Sequence, residues 1–345
     1  MKKLITIMSL AVVGFTFAQE EEPTFKVSGS IDAYFHTSLN GPNDVPAGLV
    51  DGAFSSAPSA IMGNDDRGFS GANANVRFSY EGEKVGFIAD MAYGPRTAQF
   101  SDFDVVNEAY MYWNASEKVT LMMGRWNSWM GYEKFAAADN FHYSYSHQYT
   151  FGPRNMNGLA AQFSLGNDFN LGLGLMNPIE TTEGNTSGDY SIAAGISKGD
   201  TGISFLSSQD ETFVDVKTKI NFTDSFSLAL NGNFGSWDND AVLTGNRALL
   251  TGTEGYMSIS GYTQLQSSEA FAWGIRLEYF NIMESEGDDT NVITPTLTGN
   301  YSVGNFTIRP ELRLDSASED IFWNSDADDV QGGLSTFTLA AIYSF

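Results

Sequence analysis

Apolar and polar side chains alternate along this 345-residue chain with a period of two, in stretches of about ten residues that end in turns. From Phe25 one register reads Phe25, Val27, Gly29, Ile31, Ala33 and Phe35, and the other Lys26, Ser28, Ser30, Asp32, Tyr34 and His36. Successive side chains of a strand leave opposite faces, so this segregation requires two faces that meet different media. The split returns as Ala74, Val76, Phe78 and Tyr80 against Asn75, Arg77, Ser79 and Glu81, and as Val85, Phe87, Ala89, Met91 and Tyr93 against Asp90. Farther on, Phe271, Trp273, Ile275, Leu277 and Tyr279 oppose Arg276 and Glu278. Then Phe306, Ile308, Pro310, Leu312 and Leu314 oppose Thr307, Arg309, Glu311 and Arg313. The last stretch, Leu339 to Phe345, also alternates and stops on an aromatic.

A soluble sandwich alternates too, and the connections separate the two architectures. Tight turns lie near Gly82-Glu83, Ser116-Glu117, Gly166-Asn167, Gly199-Asp200, Thr223-Asp224, Ser267-Ser268 and Gly304-Asn305. Between them fall longer polar stretches at 40–70, 95–104, 131–156, 179–187, 208–211, 236–252, 281–290 and 315–332. Strict alternation of tight and long connections predicts an all-β fold: a closed antiparallel transmembrane barrel of about sixteen strands, with short periplasmic turns and long extracellular loops. Closure removes the edges that an open sheet of this size would have to protect. Both chain ends fall on the tight-turn side.

Met1-Lys2-Lys3, an apolar run from Leu4 to Phe17 and then Ala18-Gln19 have the layout of a signal peptide, with Thr16 and Ala18 placed for cleavage after Ala18. The domains expected are therefore a leader, 1–18, and one barrel, 19–345, exported to the outer membrane of a Gram-negative bacterium. No later run is apolar enough for a membrane helix. The chain has no Cys, which excludes disulfides and thiol chemistry. Its formal charge of −24, which becomes two units more negative without Lys2 and Lys3, excludes nucleic acid as a partner.

The polar faces carry Lys26, Arg77, Arg125, Lys217, Lys219, Arg276, Arg309 and Arg313 against Asp32, Asp90, Glu108, Asp215, Glu278 and Glu311. A lysine or arginine facing lipid costs about 2–4 kcal/mol at the midplane, so the face that carries these charges meets water. Eight strands would be filled by side chains, whereas sixteen enclose an aqueous channel. These residues, with His36, are the expected pore lining, although opposed charges such as Arg309, Glu311 and Arg313 could equally zip neighbouring strands together. The remaining acid concentrates in connections: Glu284, Glu286, Asp288 and Asp289 in 281–290, and Asp315, Glu319, Asp320, Asp326, Asp328 and Asp329 in 315–332. Such clusters either bias the mouth toward cations or bridge to lipopolysaccharide through divalent ions.

One connection differs in composition. Gly124-Arg125-Trp126-Asn127-Ser128-Trp129-Met130-Gly131-Tyr132-Glu133 leads into Asn140-Phe141-His142-Tyr143-Ser144-Tyr145-Ser146-His147-Gln148-Tyr149-Thr150-Phe151-Gly152-Pro153, with Glu108-Ala109-Tyr110 upstream and Asn157-Gly158 downstream. Over about residues 105–160 this order resembles the β-barrel porin-2 family of Gram-negative, mainly Bacteroidetes-type, outer membranes. The resemblance implies an outer-membrane barrel with a channel role, and says little about the solute. Read physically, an exposed loop rich in Tyr, Phe and His would present an unusual apolar patch. Two arrangements fit: the loop folds inward and narrows the lumen, with Glu133, His142, Tyr145 and His147 at the constriction, or its aromatics pack the barrel rim.

Nothing resembling Gly-x-Ser-x-Gly surrounds Ser144 or Ser146, and His142 and His147 lack a carboxylate at metal-ligand spacing. The chain is therefore expected to be no enzyme and to need no cofactor. The function expected is passive diffusion of small hydrophilic solutes or ions, with the lipid bilayer and lipopolysaccharide as surroundings and Phe345 as the signal for barrel-assembly machinery. Homo-oligomers are compatible with this reading. The alternative is a non-conducting structural or binding barrel whose acidic loops engage lipopolysaccharide or a surface partner.

Overall fold

The computed structural model describes residues 24–41, 43, 68–100, 105–179, 185, 187–238, 241–243, 245–326 and 328–345. The expected leader 1–18 and most of the connection 40–70 lie outside these residues. Fifteen strands follow one another: β1 (Thr24–Ser38), β2 (Gly68–Glu81), β3 (Val85–Tyr93), β4 (Val106–Ser116), β5 (Val119–Asn127), β6 (Asn155–Gly166), β7 (Phe169–Met176) and β8 (Ser191–Lys198), then β9 (Thr201–Ser207), β10 (Glu211–Asn221), β11 (Phe226–Trp237), β12 (Thr253–Gln266), β13 (Phe271–Glu284), β14 (Thr290–Val303) and β15 (Phe306–Ala317). A two-residue hairpin, β16 (Phe322–Trp323) with β17 (Val330–Gln331), precedes the last strand, β18 (Gly333–Ser344). Each wall strand pairs antiparallel with its neighbours, and β18 lies between β15 and β1, closing a barrel of sixteen strands as expected.

The seven tight turns stand where the sequence places them, and both described ends lie at that rim. Thr24 pairs with Glu81 beside the first turn, while the backbone of Phe345 exchanges hydrogen bonds with Gly29. Asn167 and Asp168 join β6 to β7 with φ of 52° and 66°, the left-handed pair whose twist matches a two-residue hairpin.

Several boundaries move. The aromatic connection is 128–154 rather than 131–156, because Trp126 and Asn127 still pair with Met156 and Asn155. The connection expected at 236–252 starts after Trp237, and that expected at 281–290 starts after Glu284. Asp315 is a strand residue: the inward alternation Arg309, Glu311, Arg313 runs on to Asp315, and the acidic connection begins only beyond Ala317.

Burial is inverted relative to a soluble protein. On β14, Ile293 and Leu297 are exposed on the outer face, whereas Thr294, Thr296 and Thr298 are fully buried within. On β13, Ile275 and Leu277 face out, and Arg276 and Glu278 are fully buried. A continuous apolar outer belt is stable only against hydrocarbon, and the closed ladder leaves no unpaired strand edge there. Leu297→Arg, at the middle of β14, is expected to destabilise the barrel by about 2–4 kcal/mol in folding titrations with lipid vesicles, and Ser302→Arg, on the inner face near the turn, by far less. Equal losses would contradict the assignment of faces.

Candidate functional site

An irregular segment enclosed by a barrel has backbone N–H and C=O groups that neither a ladder nor bulk water satisfies, and each left unpaired is costly. The connection 128–154 meets this demand through charged side chains of the wall. Glu311 of β15 accepts the N–H groups of Tyr143 at 2.7 Å and Ser144 at 2.8 Å. Glu278 of β13 accepts those of His147 at 2.7 Å and Gln148 at 2.9 Å. The bases take the carbonyls: Arg276 donates to Ser144 O at 2.5 Å, Arg313 to Tyr145 O at 2.6 Å and Arg309 to Ala137 O at 2.8 Å. Inside the segment, Glu133 accepts from Ser146 N at 2.9 Å and pairs with Arg276 at 2.7 Å. Burial raises the Glu133 carboxyl above its ordinary range, while Arg276 and Ser146 pull it back down.

The two ends of the segment are pinned differently. Trp129 lays its indole across Gly172 and Gly174 of β7 and Gly195 of β8, and a Cβ added at Gly172 would lie 3.0 Å from the ring. Lys217 of β10 donates to the carbonyls of Trp129 at 2.9 Å and Gly131 at 2.8 Å, and Tyr132 N–H reaches Asn231 of β11 at 2.9 Å. The segment then makes a short 3-10 turn at Ala137–Asp139 and the helix α2 at His147–Phe151, where the Ser146 hydroxyl accepts from Tyr149 N.

Of the residues singled out from sequence, the structure gathers Asp32, Glu133, His142, Tyr145, His147, Arg276, Glu278, Arg309, Glu311 and Arg313 into this one network. Asp32 accepts from the Tyr143 hydroxyl at 2.7 Å. His147 Nε2 lies 3.0 Å from both Asp315 and Arg313, and His142 Nδ1 lies 2.7 Å from the Thr298 hydroxyl. Burial, followed by the charges of Arg276 and Arg309, holds His142 well below its ordinary pKa, so its ring is neutral. The others lie apart. Arg77 pairs with Glu108 at 2.5 Å, and Asp90 accepts from Asn75 and Asn107 beside them. Arg125 is buried and donates to Asn107 O, His36 meets Thr338, Lys219 is half-buried two residues beyond Lys217, and Lys26 pairs with Glu81 in the open at the turn rim.

Other participants had no sequence signal assigned to them. Arg96 lies fully buried in the short helix α1 (Pro95–Phe100), and Arg247 is buried 3.3 Å from Glu211. Glycines at alternate positions, Gly172 and Gly174, mark a flat inner wall that could have pointed to an aromatic lying on it. Lys134 and Asp139 stand out because neither side chain forms a hydrogen bond or ion pair with a described residue. Asp139 has exposed surface, yet the atoms around it still desolvate its carboxyl. That desolvation raises its carboxyl above the ordinary range, opposed by Arg77 and Lys134 and assisted by Asp90 and Glu108. Desolvation likewise lowers the Lys134 ammonium. Lys134 borders a cavity of about 50 Å³, lined also by Asn127, Gln148, Tyr149, Asn231 and Asn233.

Several solved barrels share this architecture. The outer membrane channel DcaP of Acinetobacter baumannii superposes with a TM-score of 0.60 at 12% identity, over 95% of this chain and 99% of its own. An anion-selective porin from Comamonas acidovorans gives 0.59 at 11%, over 94% and 100%, and OmpF of Salmonella typhi gives 0.58 at 11%, over 93% and 97%. At such identities the likeness is one of fold. No curated protein matches the chain. The family model described as "Putative beta-barrel porin-2, OmpL-like" matches residues 24–345, and the chain belongs to that family of outer-membrane β-barrel porins.

Proposed function

We propose that the barrel passes small hydrophilic solutes or ions by diffusion, and that the connection 128–154 reduces the open cross-section of its lumen. The observation behind this reading is the set of wall carboxylates and guanidinium groups bonded to the backbone of that segment. A segment tied to the inner face of the wall at this many points occupies volume that solute would otherwise use. Among the charges expected to line the pore, those on β13 and β15 and Lys217 on β10 are committed to holding the segment, and Arg77 and Glu108 to each other. Those left to meet passing ions are Lys219 on the wall and, on the segment, Lys134 and Asp139, which were not among the residues expected there. A low-dielectric wall focuses the field of such charges along the water path.

The close packing of the segment against β12 to β15, where Ser260, Arg276, Thr296 and Thr298 are fully buried, favours one second reading: a barrel that binds or supports but does not conduct. Planar-bilayer recordings separate the two, since a pore gives stepwise conductance and a plugged barrel none. The acidic connections 285–289 and 318–329 would serve either reading by bridging to lipopolysaccharide through divalent ions. Export through the leader 1–18 and delivery to assembly machinery through Phe345 belong to both.

Deleting 136–150 is expected to raise single-channel conductance about twofold if this segment sets the bore; an unchanged conductance rejects it as the constriction. In a salt gradient at neutral pH, Lys134→Gln is expected to move the reversal potential toward cations and Asp139→Asn toward anions. Because the Asp139 carboxyl titrates above the ordinary range, acidification should remove its contribution to selectivity before an exposed aspartate would lose its charge. A wild-type selectivity that stays flat until the ordinary carboxylate range, or that is the same in Asp139→Asn, contradicts that assignment.

A further inference from the structure

Arg96 is a buried guanidinium that the barrel wall does not require. It stands in α1, on the connection between β3 and β4, and none of its surface is exposed. Its Cζ lies over two aromatic rings of the neighbouring connection, 4.9 Å from the centroid of Tyr143 and 5.2 Å from that of Tyr145. Nη1 donates to the Tyr145 hydroxyl at 3.2 Å, and Nη2 lies 3.6 Å from Asp32 Oδ1, the same oxygen that accepts from the Tyr143 hydroxyl. The next residue fastens the helix itself, because the Thr97 hydroxyl donates to Asn73 of β2 at 2.6 Å. One side chain thus joins the first strand, the connection after β3 and the segment 128–154. A cation over aromatic ring faces gains most where water is excluded, as it is here.

We propose that Arg96 is a positioning residue that latches the segment 128–154 into the lumen, so that one connection of the barrel sets the conducting level through another. The effect on conductance rests on the diffusion reading, whereas the position of the segment does not. The wall bonds from Glu278, Glu311 and Arg313 hold the backbone of residues 143–148, whereas Arg96 engages the same stretch through the side chains of its two tyrosines. Without it, Tyr143 keeps its bond to Asp32, but the cation over the two rings is gone and Asp32 loses its counter-charge. The stretch around Ala137, which packs on Tyr143, Tyr34, Ala340 and Ile342, should then open more often.

The chain has no Cys, so Ala137→Cys supplies a single reporter thiol at a fully buried site. In the folded full-length barrel, checked by heat-modifiable gel mobility, thiol labelling of Ala137→Cys is expected to accelerate about tenfold when Arg96→Ala is added, the equivalent of one decade in an opening equilibrium. Arg96→Lys keeps the charge but cannot stack or fork in the same way, and is expected to fall between the two. It also serves if the alanine variant does not fold. In bilayers, Arg96→Ala should show raised open-channel noise and extra conductance levels. Equal labelling rates with and without Arg96 in folded barrels overturn the latch. Faster labelling in a barrel that never conducts, even as wild type, supports the latch and overturns the diffusion reading instead.

Discussion

Backbone polar groups in a medium without water must find partners within the protein, and this constraint shapes both levels of the structure. At the outer surface the solution is closure: sixteen antiparallel strands, with β18 meeting β1, leave no N–H or C=O facing hydrocarbon along an edge. Inside, the segment 128–154 has little regular structure, and its amides and carbonyls are met by carboxylates and guanidinium groups projecting from the wall. The alternation that places Leu and Ile outward places these charges inward, so one period-two pattern serves both tasks.

The inner charges therefore act chiefly as backbone partners. Hydrogen bonds to charged groups contribute about 1.5–3 kcal/mol each, and a buried carboxylate that accepts two N–H groups satisfies itself as well as the chain it holds. Glu278 and Glu311 each do this. A buried charge stripped of its partner is expensive, which makes the network cooperative: loosening the segment exposes the wall charges to an environment with fewer partners. The side chains of Lys134 and Asp139 have no hydrogen bond or ion pair with a described residue and lie outside that network.

Much of the wall was legible in the residues. Strand period, tight turns and charge segregation are local, so β1, β13 and β15 could be read with their inward faces correct and the number of strands counted. The inward charges were legible as a set, but their partners were not, because the wall of β13 and the segment around His147 are far apart in the chain and meet only after closure. Asp315 reads as loop in the sequence because it begins an acidic run, although it continues the alternation of Arg309, Glu311 and Arg313. Arg96 carried no signal at all: a single arginine in a short polar connection looks like any solvated base until Tyr143 and Tyr145 are seen beside it. The glycines under Trp129 read only as small residues, since a flat wall has meaning once something lies on it.

The arrangement stands or falls on whether wall carboxylates hold the backbone of the inner segment. Residue-resolved amide exchange in the folded barrel measures this directly. The amides of Tyr143, Ser144, His147 and Gln148 are expected to be protected like strand amides, with Glu311→Gln exposing the first two and Glu278→Gln the last two. Exchange of all four in wild type as fast as in the exposed turn at 285–288 would contradict it.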